Sequence, residues 1–507
     1  MKNFHHRNTR RYVLLLIIII LIGLLPRAVE ILSGNFLFGY DMGLFFEKVK
    51  RIVVDHTFTL IGEEVGGRGG FFQGPGFYYL LAIPFFLSGG DPYSGMVLMF
   101  LTGSATLILT AVLAARALGW IEALFIVFLM AVSPAMVAQS RFIWNPFFIP
   151  LITVGVLFLF YEVLKKKEIT LPALFLSLSM MFHFEIATGI MMFLEFSIFT
   201  AYLWRVRMVR GRYVLAAYAA FFLSQIHFVL FDLRHDFLIT KGILATAFGK
   251  DPSSHNVTLL YAQRMIENHW DVFRYNFLST FAYSNVIWPV LLVLVGVGAY
   301  AMIRDKHVDD AHKKFLVFLC ISPIVMFVLY MKYLWPMWEW WLLELGVVYI
   351  FVVGLVFSWG WKRGSIWRGI VAILTCLFLF SHINSTIQFY RLDYHDYGGT
   401  HKIRGKIDAI DSIYQDAAGK PFNLLVFTPP VYTYPYDYLF WWHGKRKYGY
   451  VPTKEKKDTF YLLIEPDPQK PWSYEGWLET VIKTGTVEKT WKLPSGFIIE
   501  KRVEMSP

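Results

Sequence analysis

"YVLLLIIIILIGLLP", residues 12–26, carries no charged side chain and follows the basic start "MKNFHHRNTRR". At 1.5 Å per residue, such a run with its flanks covers roughly 30 Å of hydrocarbon, so it reads as a membrane-crossing helix. No small-residue cleavage site follows it, which makes it a retained first span and not a removed signal peptide. Lys and Arg stay on the cytoplasmic side of a membrane, so the N-terminus is expected in the cytoplasm.

The same pattern recurs along the chain. Of 507 residues, 56% are hydrophobic and 18% aromatic, while only 17% are charged. Apolar runs of about 17–22 residues alternate with charged punctuation. This predicts a polytopic α-helical membrane protein with about eleven spans, near 12–32, 95–115, 120–138, 147–164, 171–187, 188–204, 213–230, 286–303, 314–331, 341–360 and 366–384. The basic loops "KKK" (165–167), "WRVRMVRGR" (204–212), "IRDKH" (303–307) and "WKRGSIWR" (361–368) are expected in the cytoplasm. The net charge of +11 collects in such loops, so it orients the protein and is not a nucleic-acid signal. Cys320 and Cys376 lie inside apolar runs, which excludes a disulfide framework and a cysteine metal site.

Between Lys167 and Arg205 the chain must cross twice to keep both basic loops on one side, with an outer turn near "HFEIATG", 183–189. "GFYYLLAIPFFLSGG", 76–90, is short and interrupted by proline, and reads as a helix along the outer interface. Three parts are left outside the cell membrane: a loop at 33–94, a loop at 231–285, and the chain from 388 onward. The domains are therefore a transmembrane unit, 1–387, and an extracytoplasmic unit, 388–507. The second carries the strand-like runs "NLLVFTPPVYTY", "TFYLLIE" and "GFIIEKR", which predict a small α/β fold. There is no internal repeat and no low-complexity segment.

Polar groups that carry chemistry gather where spans leave the membrane. After the first span comes "FLFGYDMGLFFEKVKRIV", 37–54, an amphipathic helix suited to the interface, with Tyr40 and Asp41 at its start. A capping role explains Asp41 as well as a catalytic one. The loop goes on to "GEEVGGRGGFFQGPGFYYLL", where glycines let backbone approach a ligand and Arg68 offers a guanidinium fork. "SPAMVAQSRFIWNPF" brings Arg141 and Asn145 to the same level, Arg141 as an interfacial anchor or as a phosphate contact. His183 and Glu185 lie on the outer turn. A charge at bilayer depth costs about 2.5–3.5 kcal/mol, so Glu185 is expected to face a polar cavity. "SQIHFVLFDLRHDFLITKG" adds Asp232, Arg234, His235 and Lys241. Four successive outer exits thus place reactive groups at one level, and the aromatic "KYLWPMWEWW", 332–341, suits a lipid-borne substrate.

"GYDMGLFFEKV", "QGPGFYYLL", "SPAMVAQSRFIWNP", "HFEIATG" and "LFDLRHDF" in this order resemble the GT-C superfamily of membrane glycosyltransferases across roughly residues 12–390. The chain is most similar to the protein O-mannosyltransferases and to the bacterial enzymes that add aminoarabinose to lipid A. Two positions depart from the pattern. Gly74-Pro75-Gly76 stands where a His-Pro-Pro motif is common, and Asp41 stands alone where mannosyltransferases have an Asp-Glu pair. The resemblance implies inverting transfer of a sugar from a polyprenyl-phosphate donor to a glycan, lipid or protein acceptor on the outer face. It makes Asp41 the general base. Arg141, Arg234 and His235, with Arg68 and Lys241 behind them, would hold the donor phosphate. Tyr40, Asn145, His183, Glu185 and Asp232 would contact substrate.

"HDYGGTHK", 395–402, is similar to the acceptor-binding segment of oligosaccharyltransferases, but Asp-Tyr-Gly-Gly is also an ordinary turn signal. No cofactor is required by any motif. A divalent metal would need Asp41, Glu63, Glu64, Glu185, Asp232 and His235 to assemble, and no close ligand spacing demands one. The alternatives are a transporter or flippase of a lipid-linked glycan, which would place its site at the bilayer midplane, and a non-catalytic scaffold.

Overall fold

The computed structural model describes residues 2–65, 70–247, 259–281, 287–331, 336–429, 432–455, 457–467, 469–470 and 472–504. Among the described residues, seven helices are long and apolar enough to cross a membrane: Thr9–Arg27, Tyr93–Ala117, Asn145–Leu164, Ile186–Arg205, Asp310–Tyr330, Glu339–Arg363 and Ser365–Asp393. The pair Gly211–Ser224 and Ile226–Arg234, bent by 44° at its break, makes an eighth if it is one span. The other three expected spans fall on shorter apolar helices, Trp120–Val132, Glu168–Met181 and Trp288–Arg304.

The shortening has local causes. The run expected over 120–138 stops at Val132, because Ser133 caps a new helix by accepting the Met136 N–H at 3.4 Å and Pro134 takes the first helical position. The run over 171–187 yields Leu171–Met181 and then a turn through Glu185, which caps the next helix. The interfacial segment forms the 13-residue helix Gly76–Ser88.

Glu339–Arg363 runs through the centre of the bundle, with 94% of its apolar window buried. At the end of the bundle carrying the short basic loops, Tyr12 stacks on Trp120 and Lys362 bonds to Glu122. At the same end, Arg210 pairs with Glu168 at 3.0 Å and the Trp359 indole donates to Asp305 at 2.8 Å. The longer loops and the C-terminal unit gather at the other end.

That unit is built on a four-stranded sheet of β1 (Asn423–Phe427), β2 (Thr459–Ile464), β3 (Thr486–Lys492) and β4 (Ile498–Val503), in the order β1-β2-β4-β3. β1 and β2 are parallel, while β4 runs antiparallel to both β2 and β3. Three of these strands were legible from their apolar runs. The first is shorter than its run, because the chain after Phe427 turns toward the helix Tyr434–Leu439. β3 lies almost wholly exposed, so its residues carry no apolar alternation to read.

The C-terminal unit shares a hydrophobic core with the bundle. Tyr438, fully buried, packs its ring against Phe38, Phe46 and Phe85 of the first loop, and its hydroxyl donates to the Gly90 carbonyl. The aromatic run "PPVYTYPYDYLFWWHG" is therefore largely core, with Tyr436, Tyr438, Leu439 and Phe440 buried. The two backbones come close at Gly43, where an added Cβ would lie 2.6 Å from the Pro435 Cα. Both sides are backbone, so neither can yield cheaply. Gly43→Ala is expected to cost about 1–3 kcal/mol by overpacking, read as a lower unfolding temperature and faster proteolysis between the two units.

Candidate active site

The helix Tyr40–Val53 starts at Gly39, whose backbone is extended. Asp41 stands in its first turn, where the helix dipole favours a negative charge. Ser, Thr, Asp or Asn would ordinarily cap this end, but no side-chain cap bond is present. The Asp41 carboxylate accepts no hydrogen bond among the described residues. It lines two cavities at once, of about 590 and 530 Å³. Burial pushes its pKa above the ordinary value.

The larger cavity brings Asp41 together with Glu63, Glu64, Gln73, Asn145 and Glu185. Trp144, Trp338, Trp340 and Trp341 form its aromatic wall, and Trp340 lies 4.9 Å from both Trp144 and Trp338. No Lys, Arg or His lines it among the described residues. Its frame is braced by hydrogen bonds between distant segments. The Asn145 amide donates to Gln73 and to the Phe184 carbonyl at 2.7 Å, tying the first loop to the turn before Glu185. Glu185 is buried and accepts the Ala187 N–H at 3.2 Å.

Glu63 accepts from the Tyr78 hydroxyl at 2.8 Å. Burial, reinforced by the charge of Asp41, raises its pKa from 4.5 to about 7. A carboxyl that holds its proton to about pH 7 in the same cavity as a second carboxyl gives a pair able to divide acid and base roles. The stability consequence has a definite sign. Between about pH 4.5 and 7 the unfolded chain has released this proton while the native state retains it, so stability falls as pH rises and levels off above that window. Glu63→Gln is expected to flatten this slope, as unfolding temperatures at about pH 5 and 7.5 would reveal.

His183 stands behind the cavity wall. Its Nδ1 accepts the Gly76 N–H at 3.2 Å, its ring stacks on His227 at 4.7 Å, and the Gly74 N–H donates to the Phe182 carbonyl at 2.8 Å. A Cβ on Gly74 would overlap the His183 ring, which accounts for Gly-Pro-Gly at this position. Tyr40 lines the smaller cavity beside Asp41.

The remaining candidates are not brought to either cavity. The Arg141 guanidinium binds both oxygens of Glu30 at 2.6–2.9 Å and Asp393 at 2.7 Å, and lies 3.9 Å from the Phe389 ring centre. It lines a third, mostly apolar cavity of about 510 Å³, which shares Leu37 and Phe142 with the smaller one. Asp232 caps the following helix, accepting the N–H groups of Ile239 at 2.7 Å and Thr240 at 3.0 Å and the Thr240 hydroxyl at 2.7 Å. Both carboxylate oxygens are thus engaged, by two backbone N–H groups and one hydroxyl. His235 stacks on Phe231 and bonds to its carbonyl at 2.8 Å, while Arg234 and Lys241 are exposed. Leu238 and Gly242 of the same segment approach Gly70, where a Cβ would lie 2.8 Å from the Leu238 carbonyl oxygen. Arg68 lies outside the described residues. Asp396 and Tyr397 form a turn: Gly398 and Gly399 have φ of 80° and 55°, the Gly398 N–H donates to Asp396 at 2.8 Å, and Lys402 pairs with Asp396 at 3.2 Å. Among the described residues no three His, Cys, Asp or Glu side chains gather so as to hold a metal ion.

Sequence reasoning named Glu63 only as a possible metal ligand and missed its place beside Asp41. Nothing local marks it, since in sequence it is one acid of a glycine-rich loop. Gln73 was missed for the same reason.

No family model matches the sequence, and no curated protein sequence does. Solved structures do. ArnT from Cupriavidus metallidurans bound to undecaprenyl phosphate aligns with a TM-score of 0.58 at 10% identity, covering 97% of this chain and 98% of that one. The chain has the GT-C fold. The apo form of the same ArnT aligns at 0.55 and 11% identity, covering 98% of each chain. The oligosaccharyltransferase AglB from Archaeoglobus fulgidus, in complex with an inhibitory peptide and a dolichol-phosphate, aligns at 0.49 and 11% identity over 97% of this chain and 74% of that one. The alignment with ArnT extends over the C-terminal sheet as well as the helices, since it covers 97% of this chain.

Proposed function

We propose that this protein is an inverting glycosyltransferase that moves a sugar from a polyprenyl-phosphate donor to an acceptor at the outer membrane face. The observation that carries the reading is the carboxylate of Asp41, without a hydrogen-bond partner among the described residues and placed where two cavities meet. The carboxylate- and tryptophan-lined cavity suits the donor sugar: acids accept its hydroxyls and aromatic rings cover its C–H faces. Asp41 takes the proton of an acceptor hydroxyl as that oxygen bonds to the anomeric carbon. The bond from that carbon to the phosphate oxygen breaks, and its electron pair leaves with polyprenyl phosphate. The growing charge needs cations. Arg234, His235 and Lys241 are the candidates, with Arg68 of the first loop. Arg141 is already balanced by two carboxylates and ranks behind them. The undecaprenyl phosphate bound by ArnT, which has the same fold, supports a lipid phosphate as leaving group.

The test uses purified protein in native-lipid nanodiscs with a panel of radiolabelled polyprenyl-phosphate sugars. Release of polyprenyl phosphate with at least one donor is expected. No turnover of any donor would overturn the reading and favour a transporter.

A further inference from the structure

The smaller cavity, about 530 Å³, has one wall from the first loop and the other from the C-terminal unit. From the first loop come Tyr40 and Asp41, and from the C-terminal unit come Lys406, Thr428, Tyr432 and Glu465. Glu465 follows β2 directly and is only 6% exposed. Its Oε2 is fully engaged, accepting from the Thr428 hydroxyl at 2.9 Å, the Lys406 ammonium at 3.3 Å and the Tyr436 hydroxyl. Its Oε1 accepts nothing among the described residues. That oxygen is not sealed in the core, because Glu465 lines the cavity and only its Oε2 is held by protein donors among the described residues. One oxygen fixes the group rigidly, and the other is left for a donor that enters the cavity.

The chemistry of that donor is constrained. Lys406, buried and 2.9 Å from the Tyr436 hydroxyl, balances the charge of Glu465. Asp41 and Asp467 also line the cavity, so an anionic group is unwelcome there. At the rim, the Tyr40 ring lies 5.4 Å from those of Tyr432 and Tyr434, which stack on each other at 5.8 Å. Tyr432 is 57% exposed. An exposed aromatic face beside an open carboxylate oxygen matches a neutral, polyhydroxylated ligand, with C–H faces against the ring and hydroxyls on the carboxylate.

Resting on the glycosyltransferase reading, we infer that this cleft binds the acceptor, that the acceptor group is a carbohydrate, and that Glu465 and Tyr432 select it. Asp41 faces both cavities and so meets the acceptor hydroxyl on one side and the donor sugar on the other.

The test measures transfer of radiolabelled sugar from the active polyprenyl-phosphate donor to host envelope fractions, with the acceptor KM and donor KM determined separately. Label is expected on carbohydrate hydroxyls, identified by linkage analysis. Glu465→Gln and Tyr432→Ala are each expected to raise the acceptor KM about tenfold or more relative to the donor KM. Tyr432→Ala alters an exposed ring, so it stays informative if the buried Glu465 substitution misfolds. Label found only in protease-digestible material would overturn the inference in favour of a protein acceptor. Label on lipid hydroxyls alone, or an acceptor KM unmoved in a folded variant, would overturn it too. Absence of polyprenyl phosphate release by the wild type is a different failure, that of the glycosyltransferase reading itself.

Discussion

Asp41→Asn is expected to release polyprenyl phosphate about 10²–10⁴-fold more slowly than the wild type, the range a positioned general base supplies. The substitution keeps the size of the side chain and removes its proton affinity. It disturbs little else, because the carboxylate accepts no hydrogen bond among the described residues and caps no helix. Burial already disfavours its charged form, so the amide should leave the unfolding temperature unchanged or slightly higher. A folded variant with lost turnover separates catalysis from stability. Full turnover in Asp41→Asn would move the base to Glu63 or Glu185, which line the same cavity.

Arg141→Ala is expected to destabilise the protein by about 3–5 kcal/mol, the cost of removing one partner from a buried ion pair. Glu30 has a side-chain exposure of only 9% and would be left without its bidentate partner, while Asp393, at 41%, can turn to solvent. Arg141 joins three exits that are far apart in sequence: the short helix Val29–Ser33, the chain after Pro134–Ala138, and the end of the last long helix. Losing it should loosen all three together. Unfolding in nanodiscs, with Glu30→Gln completing a double-mutant cycle, measures the coupling. If Arg141 instead holds the donor phosphate, the variant will keep its unfolding temperature and lose donor affinity.

Asp41 and Arg141 also show how far local reading reaches. Asp41 was legible because its signal is local: a carboxylate directly after an apolar run, at the head of an amphipathic helix. The residues around Arg141 gave an equally good local signal for a phosphate contact. In the structure it pairs with Glu30 and Asp393, partners that stand 111 and 252 residues away and that no local pattern announces. Asp232 likewise offered a carboxylate at a span exit. Whether it caps the next helix or faces a ligand turns on the path of the chain over residues 235–240, which hydrophobic pattern does not specify.

The sequence by itself determined that this is a polytopic helical membrane protein with a distinct C-terminal α/β unit. Run length against bilayer thickness and the placement of charge are local quantities, and the resemblance to the GT-C pattern came from the motifs that follow the spans. Tertiary structure alone decided which polar groups meet. It set Glu63 beside Asp41, turned Arg141 toward Glu30, buried Tyr436, Tyr438 and Phe440 of the C-terminal aromatic run, and left one oxygen of Glu465 open to a cleft. Each depends on loop closure between segments that are remote in sequence. The local pattern leaves those partners open because any buried opposite charge or hydrogen-bond donor would satisfy it, and packing selects among them.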